Sequence, residues 1–464
     1  MRRIVALLGL VLLGACSSSS HRSQAPSTTP APTASTTPTT SSPHAPSARW
    51  STYYGDNART GFATEGPVHP DKIQQQWASP ELDGDIYAQP LVVGNTVFVA
   101  TENNTVYALN LSDGSIVWHR HLGEPVPASD LPCGDVDPVG ITSTPVVDVR
   151  ARRVYAVGMI RPAQHVLWAL DAETGKLLAH TPVDAPGSDP RAQNQRSALT
   201  LSGGKVFVPF GGRFGDCGDY HGRVVSVAVT ADGVGAVASY TLPTQGRGGF
   251  WVPPGMTQMS DGSFLLASGN SASSTTYDYG NSVVRLNPAL KLIDSFAPSD
   301  WADLNATDGD LGTTQPVLLP NHRVFQVGKH GIGYLLDVNH LGGIGGELFQ
   351  GDVCHGSTAY GGVAHDGNTL FVACSNGVVE VIVSGDRFKT GWSAGLSTPG
   401  PTVVTKTTVW TMATGPGRLI ALDRATGNQL AAEYVGPAVS RFIAPTVAAG
   451  RVFIAPSRHV FTFG

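Results

Sequence analysis

Residues 83–118 read Asp-Gly-Asp-Ile-Tyr-Ala-Gln-Pro-Leu-Val-Val-Gly-Asn-Thr-Val-Phe-Val-Ala-Thr-Glu-Asn-Asn-Thr-Val-Tyr-Ala-Leu-Asn-Leu-Ser-Asp-Gly-Ser-Ile-Val-Trp, and the chain after residue 49 is built from copies of this unit. Four short runs rich in Val, Phe and Tyr lie within it: Gln89–Val93, Val97–Thr101, Val106–Asn110 and Ser115–Trp118. Such runs favour strands and are too short for helices. Gly94-Asn95, Glu102-Asn103-Asn104 and Ser112-Asp113-Gly114 separate them, and these residue types accept the positive φ of tight turns. Four strands in a meander make one propeller blade, which needs neighbours to cover both of its faces.

Openings of the same kind recur at Thr144-Pro-Val-Val, Ala198, near Pro253, Gln315-Pro-Val-Leu, Gly361-Gly-Val, Pro401-Thr-Val-Val and Ala444-Pro-Thr-Val, which with Gln89 gives eight. The expected fold is therefore all-β: an eight-bladed β-propeller of four-stranded antiparallel blades. The last unit stops at Gly464 after three strands. Ile73–Ser79, with Trp77 in the place of Trp118, is expected to supply the fourth and close the ring, which removes the exposed edge of an open sheet. Trp77 and Trp118 are read as packing between blades.

Composition agrees with a turn-rich β protein: 55 Gly, 33 Pro and only 14% charged residues among 464. A net charge of −5 lacks the basic face that nucleic acid requires. No long apolar run follows the leader, so no membrane-spanning helix is expected after it.

Residues 1–15 have the form of a secretory leader, Arg2-Arg3 followed by an apolar core from Ile4 to Leu13. It ends in Leu13-Gly14-Ala15-Cys16, which resembles the bacterial lipoprotein processing site. The resemblance implies lipidation of Cys16 and anchoring on the extracytoplasmic face of the cell membrane; an ordinary cleaved leader is the alternative. Residues 16–48 are almost entirely Ser, Thr, Pro, Ala and His after the cysteine, a composition that builds no core. They are expected to form a disordered tether reaching roughly 30 Å.

Residues 49–61, Arg49-Trp-Ser-Thr-Tyr-Tyr-Gly-Asp-Asn-Ala-Arg-Thr-Gly, lead toward a Trp-ended strand, and Ala-Leu-Asp-X-X-Thr-Gly stands at 169–175 and 421–427. These motifs resemble bacterial propellers with pyrroloquinoline-quinone (PQQ) type repeats, and the resemblance covers residues 49–464. That superfamily includes quinoprotein alcohol dehydrogenases, the propeller lipoprotein of outer-membrane assembly and many actinobacterial lipoproteins.

Strand order sorts the loops. Those after the fourth and second strands share one face, and here they are longer and richer in charged and aromatic residues than the plain turns opposite. Function concentrates on such loops. Four cysteines remain after Cys16, an even count that suggests disulfides in an exported chain. Their loop positions favour Cys133–Cys217 and Cys354–Cys374; the other pairings join more distant blades.

Residues just before each opening line the mouth of the axial channel: Asp83, Asp85, Asp135, Asp137, Arg196, Trp251, Asp308, Asp310 and Arg441, with His221 and Lys329 from second-strand loops. Candidates for holding a planar anionic cofactor are Asn194, Arg196, Trp251, Lys329 and Arg441, through cation–carboxylate pairing and stacking. Asn305, Asp308 and Asp310 can hold a hard cation, or else cap their own loop as an Asx network. Asp308, Asp310 and His221 are the candidate acids and bases, His221 serving otherwise as a loop brace.

Two functions follow. The favoured one is a membrane-anchored binding module whose top face takes a cell-envelope protein, a glycan or a small molecule. The other, implied by the resemblance, is a PQQ- and calcium-dependent dehydrogenase acting on an alcohol or sugar. Against it, the adjacent Cys-Cys pair and a haem motif are missing, and Leu177-Leu178-Ala179 and Leu430-Ala431-Ala432 lack the repeat's Trp. Substituting Cys16→Ala is expected to release the protein from the membrane fraction. Retention of that variant in sedimented membranes counts against lipid anchoring.

Overall fold

The structure is a computed structural model that describes residues 49–231 and 233–464. The leader, Cys16 and the Ser/Thr/Pro segment lie outside the described residues. Eight antiparallel sheets follow one another along the chain. Blades 1 to 7 span residues 91–121, 146–182, 200–241, 257–297, 317–352, 364–395 and 403–434. Blade 8 takes three strands from residues 446–463 and its fourth from Gln75–Ala78, which pairs antiparallel with Phe461–Phe463. The ring closes as the sequence implies. Short accessory strands extend three blades: Arg49–Trp50 inside blade 1, Gln193–Asn194 at blade 3 and Gly343–Ile344 outside blade 4. Among the described residues no helix is long and apolar enough to cross a membrane.

Local chemistry sets the repeat. In blade 2, Asp171 Oδ1 accepts from the amides of Glu173 and Thr174 and from the Thr174 hydroxyl, while Gly175 N donates to Asp171 O. Asp423 does the same for Ala425, Thr426 and Gly427 in blade 7. The glycine of this turn has a second task. Trp118 of blade 1 lies flat on Gly175, so that a Cβ there would come within 2.5 Å of the indole. Its Nε1 donates to Ala172 O of the same turn. Trp77 docks on Gly114 and Trp392 on Gly427 in the same manner. Each ring thus fastens the outer strand of one blade to the next. In blade 2 the corresponding position is Ala179, whose methyl would lie 3.1 Å from a Cβ at Gly233 of blade 3.

The largest departure from the sequence reading is the role of residues 50–63. They do not merely precede the ring; they cross its axis. Ser51 O accepts from Val147 N, Thr60 O from His365 N, and Val404 O from Ala63 N, so the segment bonds to the inner strands of blades 2, 6 and 7. Asn57 bonds to Leu201 and Gln258 of blades 3 and 4. Arg59 is wholly buried within this plug. Its guanidinium donates to Met256 O, Leu199 O and Tyr53 O, and to the hydroxyls of Thr52 and Thr200. Burial pulls its pKa down to about 10, which leaves it cationic at neutral pH. The inner ends of blades 3 and 4 are tied to each other and to the plug through this one side chain.

Both disulfides expected from the loop positions are formed, Cys133–Cys217 between the top loops beyond blade 1 and within blade 3, and Cys354–Cys374 at blade 6. Arg59→Ala strands several buried carbonyls without donors. It is expected to cost roughly 3 kcal/mol or more in urea unfolding, and Arg59→Lys, with one compact ammonium, to recover less than half of that. A loss below about 1 kcal/mol, the level of ordinary surface changes, would rule out this tying role.

Candidate functional site

The loops entering the first strands converge above the plug, and their side chains form one connected rim. The Arg196 guanidinium sits between two rings, 5.1 Å from the centroid of Tyr87 and 5.1 Å from that of Phe442. Its Nη2 donates to Ser440 Oγ at 3.0 Å. Among the described residues no carboxylate forms an ion pair with it. Burial lowers its pKa, an effect that Tyr87, Glu102 and Asp135 oppose. Phe442 is the hub. Trp251 meets it edge-on at 5.9 Å, Tyr360 lies 6.3 Å away, and Arg441 stacks over Tyr360 at 4.6 Å. The result is a half-buried surface of alternating cations and aromatic faces, drawn from loops far apart in sequence.

A polar corner completes it. Lys329 Nζ pairs with Asp308 and lies 3.6 Å from Asp310 Oδ2. Asp310 Oδ1 accepts from Asn270 N, and Asp308 Oδ1 from Asn270 Nδ2. Burial pushes the Asp310 carboxyl up to about 6, against the pull of the Asn270 amide and of Lys329. Asp310 adjoins the aromatic rim: a Cβ on Gly269 would come within 2.5 Å of Asp310 Oδ1 and 3.0 Å of Trp251 Nε1.

The other sequence candidates take separate places. The Asn305 amide bonds across to Ser271, Ser273 and Asn281 of the neighbouring loop rather than within its own. His221 Nδ1 bonds to the Thr244 hydroxyl. Asn194 lines a small cavity with Asp135, Arg213 and Phe214. Asp83 accepts from Thr101, Asn103 and Thr105, and Asp137 from Ala128 N, so both brace loops; Asp85 lies 3.5 Å from Arg458. Among the described residues no group of three or more His, Cys, Asp or Glu side chains is placed to hold a metal ion.

Sequence reasoning placed Tyr87, Tyr360 and Phe442 on the top loops without singling them out as site residues. It also took Glu102 for a turn residue, whereas this side chain is buried at 2% exposure. Glu102 Oε2 accepts from Gly140 N and Thr142 Oγ1, and Oε1 has no protein partner. Burial raises its carboxyl to about 7, countered by those two donors and by Arg196. An acidic residue in a turn whose neighbours are all uncharged was the available signal.

Comparison with known proteins agrees with this architecture. The family model described as outer membrane protein assembly factor BamB matches residues 68–248. A polyvinylalcohol dehydrogenase from Sphingopyxis sp. is 31% identical over 147 residues, which is 30% of this chain and 18% of that protein. The chain thus matches less than a fifth of that relative's length. Among solved structures, the quinohemoprotein alcohol dehydrogenase ADHIIG of Pseudomonas putida superposes with a TM-score of 0.68 at 15% identity, over 89% of this chain and 80% of that one. BamB from Moraxella catarrhalis gives 0.55 at 14% identity, over 84% and 99%.

Glu102 carries a pH prediction. Its folded pKa lies above the ordinary 4.5, so the folded state prefers the protonated form. The stability this contributes is complete below about pH 4.5 and is lost as pH rises through about 7. Glu102→Gln stays neutral, and is expected to melt about 1–3 °C above wild type near pH 8, with the gap closing near pH 5. A gap that does not change with pH would remove the buried carboxyl as its cause. The repeat signature, the blade count and these likenesses together make the chain similar to the PQQ-like β-propellers, with the family model itself matching residues 68–248.

Proposed function

We propose that this protein is a lipid-anchored, extracytoplasmic binding module whose top funnel takes an organic anion with a flat or aromatic face. Arg196 carries the reading. A guanidinium held between Tyr87 and Phe442, with one hydroxyl as its hydrogen-bond partner, keeps donors for an incoming carboxylate. Its flanking rings offer stacking surface at the same place. The plug bears on direction too, since it fills the axis below and leaves the top as the approach. The occupant is a free small molecule or a matching group on a cell-envelope protein or glycan.

Likeness to quinoproteins raises PQQ with a metal ion as the specific case. The quinone half suits the rim, where Arg196, Arg441 and Trp251 meet the needs of a flat polycarboxylate. The metal half does not suit the polar corner, because Lys329 already pairs with both aspartates and the Asn305 amide is consumed by Ser271 and Ser273. A dehydrogenase is the second reading, and Asp310 favours it. A carboxyl raised to about 6 beside Trp251 is placed to accept a proton from a substrate hydroxyl.

Titrating the purified protein with PQQ, in the absence of added metal, is expected to give saturable absorbance changes. Arg196→Ala should weaken that binding at least tenfold, about 1.4 kcal/mol. Equal affinity in the variant would remove Arg196 from the site. Turnover of alcohols with an artificial electron acceptor, abolished by Asp310→Asn, would put the dehydrogenase reading first.

A further inference from the structure

We infer that Lys329 stands where a metal ion would otherwise be required: its ammonium is the protein's own cation for Asp308 and Asp310, and the funnel takes its ligand without a divalent or trivalent metal. This deepens the binding reading above and concerns the same funnel, yet it does not depend on which ligand binds.

The oxygens around this corner can be followed one by one. Asp308 and Asp310 present four carboxylate oxygens. Lys329 faces one from each residue, and Asn270 donates to the other two, through its backbone to Asp310 and its side chain to Asp308. Neutral oxygens nearby are spent as well. Asn270 Oδ1 accepts from Asn281 Nδ2, Asn281 Oδ1 from Leu311 N, and Asn305 Oδ1 from Ser271 N and Asn281 Nδ2. A hard cation such as calcium asks for about six to eight oxygens. Every candidate here already faces a protein donor.

Lys329 is also fixed in place rather than passing through. Its backbone N donates to Asp310 O at 2.8 Å, so main chain and side chain grip the same aspartate. Asp308 turns the chain through a left-handed φ of 58°, and a glycine separates it from Asp310. The two carboxylates thereby reach one ammonium. A second cation brought to this spot would meet that positive charge directly.

Terbium(III) is the probe, with emission sensitised by tryptophan, since Trp251 adjoins Asp310. The full-length protein is expected to show no saturable terbium emission above background, and no change in melting temperature after chelator treatment. Lys329→Ala exposes both carboxylates, and should bind terbium at least tenfold more tightly than wild type. Lys329→Arg, which keeps the charge, should not. Adding Asp310→Asn to the alanine variant should abolish the gained emission and so assign it to this corner. Terbium binding by wild type as tight as by Lys329→Ala overturns the inference. So does a folded Lys329→Ala protein, verified by circular dichroism, that gains nothing. Neither readout involves PQQ, so failure of the ligand proposal at Arg196 would leave this result intact, and the reverse also holds.

Discussion

Pairing between Gln75–Ala78 and Phe461–Phe463 joins residues near the two ends of the described chain in one sheet. Blade 8 exists only through that pairing, because its own C-terminal segment supplies three strands. Without it both a blade and the ring would be left open, with unpaired edges on either side. Trp77 adds a lateral contact at the same point, its indole resting on Gly114 of blade 1. Closure thus couples a hydrogen-bonded ladder with an aromatic clamp, and the position of each top loop follows from it.

The plug turns a closed ring into a vessel. A propeller surrounds an axis whose inner strands present backbone and small side chains. Here the segment leading up to the closing strand fills that axis, with Tyr53 and Tyr54 fully buried and Arg59 bridging blades 3 and 4. An uncompensated buried guanidinium would be costly; five carbonyl and hydroxyl acceptors offset that cost. Loops above the plug are therefore held from below. That rigidity lets Arg196, Phe442, Trp251 and Arg441 meet although residues 196 and 442 belong to opposite halves of the chain.

Reading the chain alone went far for the scaffold. The Asp-X-X-Thr-Gly turn is legible because Asp caps its own turn and glycine alone tolerates the indole above it. Blade number, closing strand and both disulfides were legible for similar reasons, since they follow from local turn chemistry repeated at fixed spacing. The site was legible only in part. Arg196, Trp251, Lys329, Asp308 and Asp310 were marked as lining one mouth, but nothing local says that Lys329 chooses the two aspartates or that Arg196 chooses two rings. Tyr87, Tyr360 and Phe442 fell on the top loops but were not marked, since an aromatic residue in a loop looks the same whether it packs inward or faces a ligand. Glu102 stood in a turn triplet that resembles any exposed turn.

The sequence determined what short-range forces determine: strand and turn periods, the count of blades, and which face carries the long loops. Tertiary structure decided everything that depends on distance across the ring. It placed residues 50–63 in the axis, buried Glu102 and Arg59, and gave Lys329 to a pair of carboxylates. The physical reason is that burial and ion pairing are set by what lies within a few ångströms in space, and those neighbours come from other loops of the ring, the next loop for Lys329 and Glu102 and distant blades for Arg59.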